Sequence, residues 1–365
     1  MKIASIVGAR PNFVKLAPVS REIRKGFDEI IIHTGQHYDY QMDRIFFQEL
    51  GIPKPDYHLG VGSASHGHQT GEMLKGIEDI LLKEKSDLAL VFGDTNTTLA
   101  GALAAAKLHI PVAHVEAGLR SFDKKMPEEV NRVLVDHCSD LLSCPTKTAV
   151  DNLKKEGIAK GVHLTGDVMA DILKDCISIA LKSSKILEEL ALSPKEYYLA
   201  TVHRAENTDD PKRLKSIIDA LCDIENVVFA CHPRTERLLR ERGLLDILKE
   251  KVKVIKPVGY LDMLLLENNA RKILTDSGGV QKEAYMLKVP CITMRDETEW
   301  VETVDDGWNV LAGADRKTIV KTAREFDPAS EQREMFGKGD ASVRIVKAMK
   351  DYLRDRSLEK SQGID

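Results

Sequence analysis

The sequence has no C-x-x-C pair, no excess of charge of one sign, and no apolar run near the roughly 18 to 20 residues that a membrane span requires. Each absence removes a class of function. The six cysteines (Cys138, Cys144, Cys176, Cys222, Cys231 and Cys291) are scattered, and several lie in apolar runs such as Val227-Val228-Phe229-Ala230-Cys231. They read as buried thiols of a cytosolic protein and not as a disulfide framework or a metal cluster. A formal net charge of −4 and a pI near 6.3 leave no basic footprint, so neither nucleic acid nor an anionic membrane is expected as a partner. The N-terminus runs directly into Ile3-Ala4-Ser5-Ile6-Val7 and then Arg10, too short an apolar stretch for a signal h-region.

Two nucleotide-binding fingerprints are also missing. No G-x-G-x-x-G opens the first helix and no G-x-x-x-x-G-K-[ST] occurs, so neither a dinucleotide cofactor nor P-loop chemistry is expected. His33, His37, His66 and His68 lack the context of metal ligands, and no catalytic metal is expected. No internal repeat of about 20 to 50 residues is present.

What is there is an ordinary globular composition, 43% hydrophobic and 30% charged, over 365 residues, a length that predicts two domains. Short β-rich runs at 3–7, 29–33, 87–92, 111–115, 141–144 and 161–165 alternate with helical stretches such as Lys15 to Lys25 and Thr97 to Lys107. The alternation predicts a mostly parallel, doubly wound α/β sheet. It resumes at 197–202, 226–230, 252–256, 272–275 and 290–294. The expected organisation is an N-terminal Rossmann-like domain over 1–170, a linker helix region over 171–194, a C-terminal Rossmann-like domain over 195–340, and a C-terminal helix with a frayed polar tail over 341–365. Two such domains are expected to face a cleft.

The chemistry-bearing residues cluster at predicted strand ends, where open α/β sheets keep their ligand sites. Gly8, Arg10 and Lys15 lie in the first strand-to-helix turn, either as a pair of cations for a pyrophosphate or as solvated charges. Asp94 and Glu116 each close a strand, and Glu128 follows Pro127 in Met126-Pro127-Glu128-Glu129-Val130-Asn131-Arg132. Three carboxylates at one site would repel and make one of them a proton carrier. Alternatively, Asp94 is a helix N-cap and Glu128 a first-turn acid. In the second half His203 ends the first strand, either as a contact for a leaving diphosphate or as a capping residue, and His232 occupies the matching place after the next strand. Ser277, Gly278 and Gly279 precede a helix, either as a turn whose amides suit phosphate or as an ordinary N-cap, and Glu283, four residues beyond Gly279, shares a face with it and could accept hydrogen bonds from ribose hydroxyls.

Taken together, the motifs G-x-R-P-x-x-x-K, T-G-Q-H, G-D-T-x-T-T, H-V-E-A-G-L-R, P-E-E-x-N-R, H-R-x-E-N, H-P, T-D-S-G-G-x-Q-x-E and M-R-D-x-T-E resemble, in order, those of the non-hydrolysing UDP-N-acetylglucosamine 2-epimerases. The resemblance implies the GT-B-like arrangement of two Rossmann-like domains, a homodimer, a cytoplasmic place in polysaccharide biosynthesis and no cofactor. It implies that Arg10, Lys15, His203, Ser277, Gly278, Gly279 and Glu283 hold UDP, with Val258 and Met263 walling the uracil. Asp94, Glu116 and Glu128, with His203 at the diphosphate, would carry the chemistry. In that chemistry UDP leaves by anti elimination to 2-acetamidoglucal, and re-adds after C2 is protonated from the other face.

The chain departs from the family at three places. Thr298-Glu299-Trp300-Val301-Glu302 stands where many members read T-E-R-P-E, leaving Arg295 as the candidate stand-in for a nucleotide-side arginine. Met263 stands where relatives can place an aromatic ring. Gln36 to Tyr40 and Ser63 to Gln69 differ from the members that bind a second, activating substrate, and His68 replaces an arginine there, so substrate activation is not carried over. A hydrolysing epimerase, a GT-B-type glycosyltransferase and a silent UDP-sugar binder remain as alternatives.

Overall fold

The computed structural model describes residues 1–36 and 51–361. The expectations resting on His37 to Tyr40 and on the tail from Gln362 to Asp365 lie outside the described residues. Two compact units emerge, one of residues 1–174 with 335–365 and one of residues 175–334.

The first unit is built on seven parallel strands: β1 (Lys2–Val7), β2 (Asp28–His33), β3 (Tyr57–His58), β4 (Leu88–Phe92), β5 (Val112–Val115), β6 (Leu141–Cys144) and β7 (Val162–Leu164). They lie in the order 3-2-1-4-5-6-7. The order reverses beside β1, which pairs Ala4 with Ile30 on one side and with Ala89 on the other. A ligand crevice is expected at that reversal, at the carboxyl ends of β1 and β4. All five residues of β4 are buried, the mark of a strand covered on both faces by helices. The helix Asn96–Lys107 lies against it so closely that a Cβ on Gly101 would sit 3.0 Å from side-chain atoms of Ile6 and Val91.

The second unit repeats the plan with β8 (Tyr198–Thr201), β9 (Val227–Ala230), β10 (Lys253–Ile255), β11 (Lys272–Thr275), β12 (Cys291–Thr293) and β13 (Asn309–Leu311), in the order 10-9-8-11-12-13. Every pairing is parallel. Leu199, Phe229, Leu274 and Ile292 are fully buried in its core.

Eleven predicted strands therefore match within a residue or two, while β3 and β13, of two and three residues, are too short to carry a period. The region read as a linker helix breaks at Ser184–Lys185 into Val168–Ser183 and Ile186–Glu189. The last helix runs Ala341–Ser361, further than the frayed end expected after Arg354. Its final residues are charged but include strong helix formers, so polarity alone was a poor stop signal. This helix packs on the helix Arg10–Ile23 of the first unit. Asp171 anchors its start by accepting from the amides of Ala341 and Ser342 and from the Ser342 hydroxyl.

All six cysteines are unpaired, and burial pushes the Cys144, Cys231 and Cys291 thiols up to about 12. Among the described residues no helix is long and apolar enough to cross a membrane, and no group of three or more His, Cys, Asp or Glu could hold a metal ion.

Candidate active site

In the first unit the site residues are placed by the turns after β1, β4 and β5. Gly8 allows these turns to close up, because a Cβ there would overlap the hydroxyls of Thr34 and Thr97. Asn12 fastens the first turn to the end of β4, accepting from the amide of Ala9 (3.1 Å) and donating to the carbonyl of Phe92 (2.9 Å). Arg10 opens the helix Arg10–Ile23, and its side chain is not among those described.

Asp94 is not the N-cap of the next helix. Thr95 fills that role, paired reciprocally with Thr98, so the Asp94 carboxylate is available one residue earlier and meets the Arg132 guanidinium at 2.6 Å. Arg132 lies four residues after Glu128 on the helix Pro127–Cys138, hence on the same face, and Asn131 beside it donates to the Asp94 carbonyl at 2.8 Å. Glu128 occupies the first turn of that helix and is half-buried. Its neighbour Glu129 has a different task, accepting from the amides of Ser121 and Phe122 and so closing the preceding loop.

Glu116 is buried and adopts φ of +75°, in the left-handed region that side chains seldom visit. Such strain, about 1–3 kcal/mol, persists where surrounding contacts hold it and is concentrated at functional sites. Its carboxylate is ion-paired with the Lys15 ammonium. Gly93 lies beneath the pair: a Cβ there would be 2.9 Å from Lys15 Nζ and 3.4 Å from Glu116 Oε2. The repulsion expected between neighbouring carboxylates is thus offset by a cation at Asp94 and at Glu116. Asp94 and Glu116 each have a cation at hydrogen-bond range, which the sequence reading did not assign to them. Lys15, read as a phosphate ligand, lies against Glu116.

In the second unit the carboxylate of Asp276, fully buried at the end of β11, accepts from the amides of His203 (3.1 Å) and Arg204 (3.0 Å) and from Asn207 Nδ2 (3.2 Å). It also lies 3.3 Å from His203 Nδ1. Desolvation holds His203 below its ordinary value, against the pull of Asp276 and with the help of Arg204, Arg234 and Arg295. The ring is nevertheless 38% exposed, so a largely neutral, reachable imidazole results. His232 is an N-cap, its Nδ1 accepting from the Arg234 amide, and its ring lies 6.0 Å from that of His203.

Ser277 caps the helix Gly278–Met286. A Cβ on Gly278 would overlap the Glu299 carboxylate and lie 3.2 Å from Trp300 Nε1, whereas one on Gly279 would make only an ordinary contact, 3.8 Å from Ser277 Oγ. Glu283 follows one turn on, buried. Val258 and Met263 are half-buried on the cluster that contains Tyr197, Leu199 and Leu265. Arg295 is buried and bound to Glu299 at 2.8 Å, and the Lys282 ammonium lies 4.1 Å above the Trp300 ring. Asp276, Arg132 and the Trp300–Lys282 pair received no role from the sequence, although Arg132 could have been found from its four-residue spacing to Glu128.

The chain matches the family model described as UDP-N-acetylglucosamine 2-epimerase over residues 21–350. It is 60% identical to a UDP-N-acetylglucosamine 2-epimerase homolog of Methanococcus maripaludis, covering 96% of this chain and 100% of the relative. It is 51% identical to UDP-2,3-diacetamido-2,3-dideoxy-D-glucuronate 2-epimerase of Pseudomonas aeruginosa, covering 95% and 98%. Among solved structures, that of the Methanocaldococcus jannaschii UDP-GlcNAc 2-epimerase with UDP-GlcNAc and UDP superposes with a TM-score of 0.90 at 48% identity, covering 96% and 99%. A spinosyn rhamnosyltransferase, a GT-B glycosyltransferase, shares the fold alone at a TM-score of 0.54 and 12% identity.

Proposed function

This chain belongs to the UDP-N-acetylglucosamine 2-epimerase family, and on that premise we propose that it interconverts UDP-N-acetylglucosamine and UDP-N-acetylmannosamine without hydrolysis or a redox cofactor. His203, Ser277, Gly278, Gly279 and Glu283, with Val258 and Met263 at the base and Arg10 at the phosphates, hold UDP. Asp94, Glu116 and Glu128 act on the sugar as one coupled set. Lys15 serves through Glu116, holding that carboxylate in place.

The C2 proton is not acidic, so the bond from C1 to the diphosphate oxygen breaks early and the nearby carboxylates stabilise the oxocarbenium character at C1. A carboxylate takes the C2 proton, the C1–O electron pair leaves with UDP, and a C1=C2 double bond remains as 2-acetamidoglucal. Protonation of C2 from the opposite face and re-addition of UDP at C1 complete the inversion. The hydrogen is exchanged as a proton, so no nicotinamide is required. The neutral His203 suits hydrogen bonding to the departing diphosphate.

The observation that carries this reading is the pair of compensated carboxylates, Asp94 on Arg132 and Glu116 on Lys15, at the ends of β4 and β5. Ionised groups held this way would be a needless expense in a mere binder. The relative at 51% identity favours a second reading, in which the substrate is a 2,3-diacetamido uronate. We also assign a homodimer and a cytoplasmic role supplying a polysaccharide, the first checked by light scattering.

The test is proton NMR in heavy water with each sugar nucleotide in turn. UDP-N-acetylmannosamine carrying deuterium at C2 establishes the first reading. Conversion of only the diacetamido uronate establishes the second, and free N-acetylmannosamine with UDP refutes the non-hydrolysing route.

A further inference from the structure

His114 is fully buried two residues before Glu116, and both of its ring nitrogens face acceptors. Nδ1 lies 2.7 Å from Asp136 Oδ1, and Nε2 lies 2.8 Å from the carbonyl of Gly93. The ring makes both bonds only with a hydrogen on each nitrogen. The other Asp136 oxygen accepts from the Gly118 amide (3.0 Å) and Arg120 Nη1 (2.7 Å), and Arg120 in turn makes a two-pronged bond to Glu156 at 2.7 and 2.8 Å. Asp136, the Arg120 guanidinium and the His114 ring thus form a buried hydrogen-bonded network that ends on the half-buried Glu156, and a network satisfied in this way rigidifies a core.

The three segments joined here are those that bear the carboxylates. Gly93 precedes Asp94 and has φ of +66°, so the direction in which Asp94 leaves β4 depends on what holds that carbonyl. Asp136 is two turns along the helix whose first turn carries Glu128 and whose Arg132 grips Asp94. His114 itself lies on β5, which presents the strained Glu116.

We propose that His114 is a positioning residue that, through its two donated hydrogen bonds, sets Asp94, Glu116 and Glu128 in one fixed arrangement for proton transfer at C2. This rests on the function proposed above. It assigns His114 no contact with substrate. Burial alone would push the Asp136 carboxyl up, but His114 and Arg120 hold it below the usual carboxylate range, consistent with a permanently charged anchor.

The test uses His114→Gln and Asp136→Asn, with turnover counted per UDP-binding site so that unfolded protein is not scored. A misplacement near 1 Å is worth about a hundredfold in rate. The expected result for His114→Gln is that kcat and the rate of C2 deuterium exchange fall together by about that factor with UDP affinity unchanged. Asp136→Asn should show a smaller fall in both. Combined with Glu116→Gln, the His114 change should add little, because both act through the same carboxylate. A kcat within threefold of the parent, or fully multiplying effects in the double variant, overturns the proposal. Nitrogen-15 spectra of the unsubstituted protein give an activity-free arm. Protons on both nitrogens of His114 support the arrangement, and a single one overturns it. If no sugar nucleotide is converted by the parent protein, the proposed function fails while the ring spectrum still decides the histidine.

Discussion

Asp276→Asn is the change whose consequence can be worked most directly from the geometry. The carboxylate is fully buried and accepts from the His203 and Arg204 amides and from Asn207 Nδ2 at 3.0–3.2 Å. Hydrogen bonds to a charged acceptor contribute about 1.5–3 kcal/mol each against about 0.5–1.5 for neutral ones, so removing the charge from three bonds costs about 3 kcal/mol. The new amide must also point its NH2 at one of these donors, leaving a buried N–H unsatisfied at about 1–3 kcal/mol. A total of about 4–6 kcal/mol follows, large for an isosteric change and corresponding to a fall in the melting midpoint of roughly 8–24 °C for a unit of this size. The same anchor orients His203. Losing one oriented contact of about 1.4 kcal/mol at the diphosphate would weaken UDP binding about tenfold. Urea unfolding gives the first quantity and titration calorimetry with UDP the second. A variant within about 1 kcal/mol of the parent, binding UDP unchanged, would refute the reasoning that Asp276 holds the β8 turn.

Asp94→Asn and Glu116→Gln should each lower kcat by at least about a hundredfold, the scale of a lost acid or base, while calorimetry shows UDP binding largely retained. Normal turnover in either removes that residue from the site. Gly278→Ala should weaken UDP binding by about tenfold or more, because the new methyl overlaps a Glu299 carboxylate that Arg295 holds in place. Unchanged UDP affinity would show that this turn is not at the phosphates. Burial first, and then the charge of Glu283, raise the Glu267 carboxyl well above its ordinary value, and among the described residues neither of its oxygens has a hydrogen-bond partner. Since the folded form binds the proton more tightly, its contribution to stability is fully present below the unfolded carboxyl range and is lost as pH rises through the folded value. Glu267→Gln should therefore flatten the decline of the urea midpoint toward alkaline pH, and an identical pH profile in the variant would count against a proton held there.

How much of this could be read without coordinates depended on distance along the chain. Strands of four or more residues were legible because burial on both faces leaves continuous apolar runs such as Leu88–Phe92, and the strand-end clusters followed from them. The candidate site residues were proposed from ordered motifs, but the partners of their charges were not. Whether Asp94 was a cap was not legible either: Asp94 and Thr95 are both good caps, and only the backbone shows Thr95 making the reciprocal pair with Thr98.

The sequence by itself determined two doubly wound α/β sheets, the carboxyl ends at which chemistry would gather, and the resemblance that points to a UDP-sugar. Only the tertiary structure decided what each charge is paired with. Asp94 meets Arg132 across 38 residues, Glu116 meets Lys15 across 101, and the final helix returns to Asp171 across 170. Local periodicity carries no record of such pairings. They are fixed by the strand order of the sheet, which brings the ends of β1, β4 and β5 side by side and lets a few kcal/mol of ion pairing choose among the partners found there.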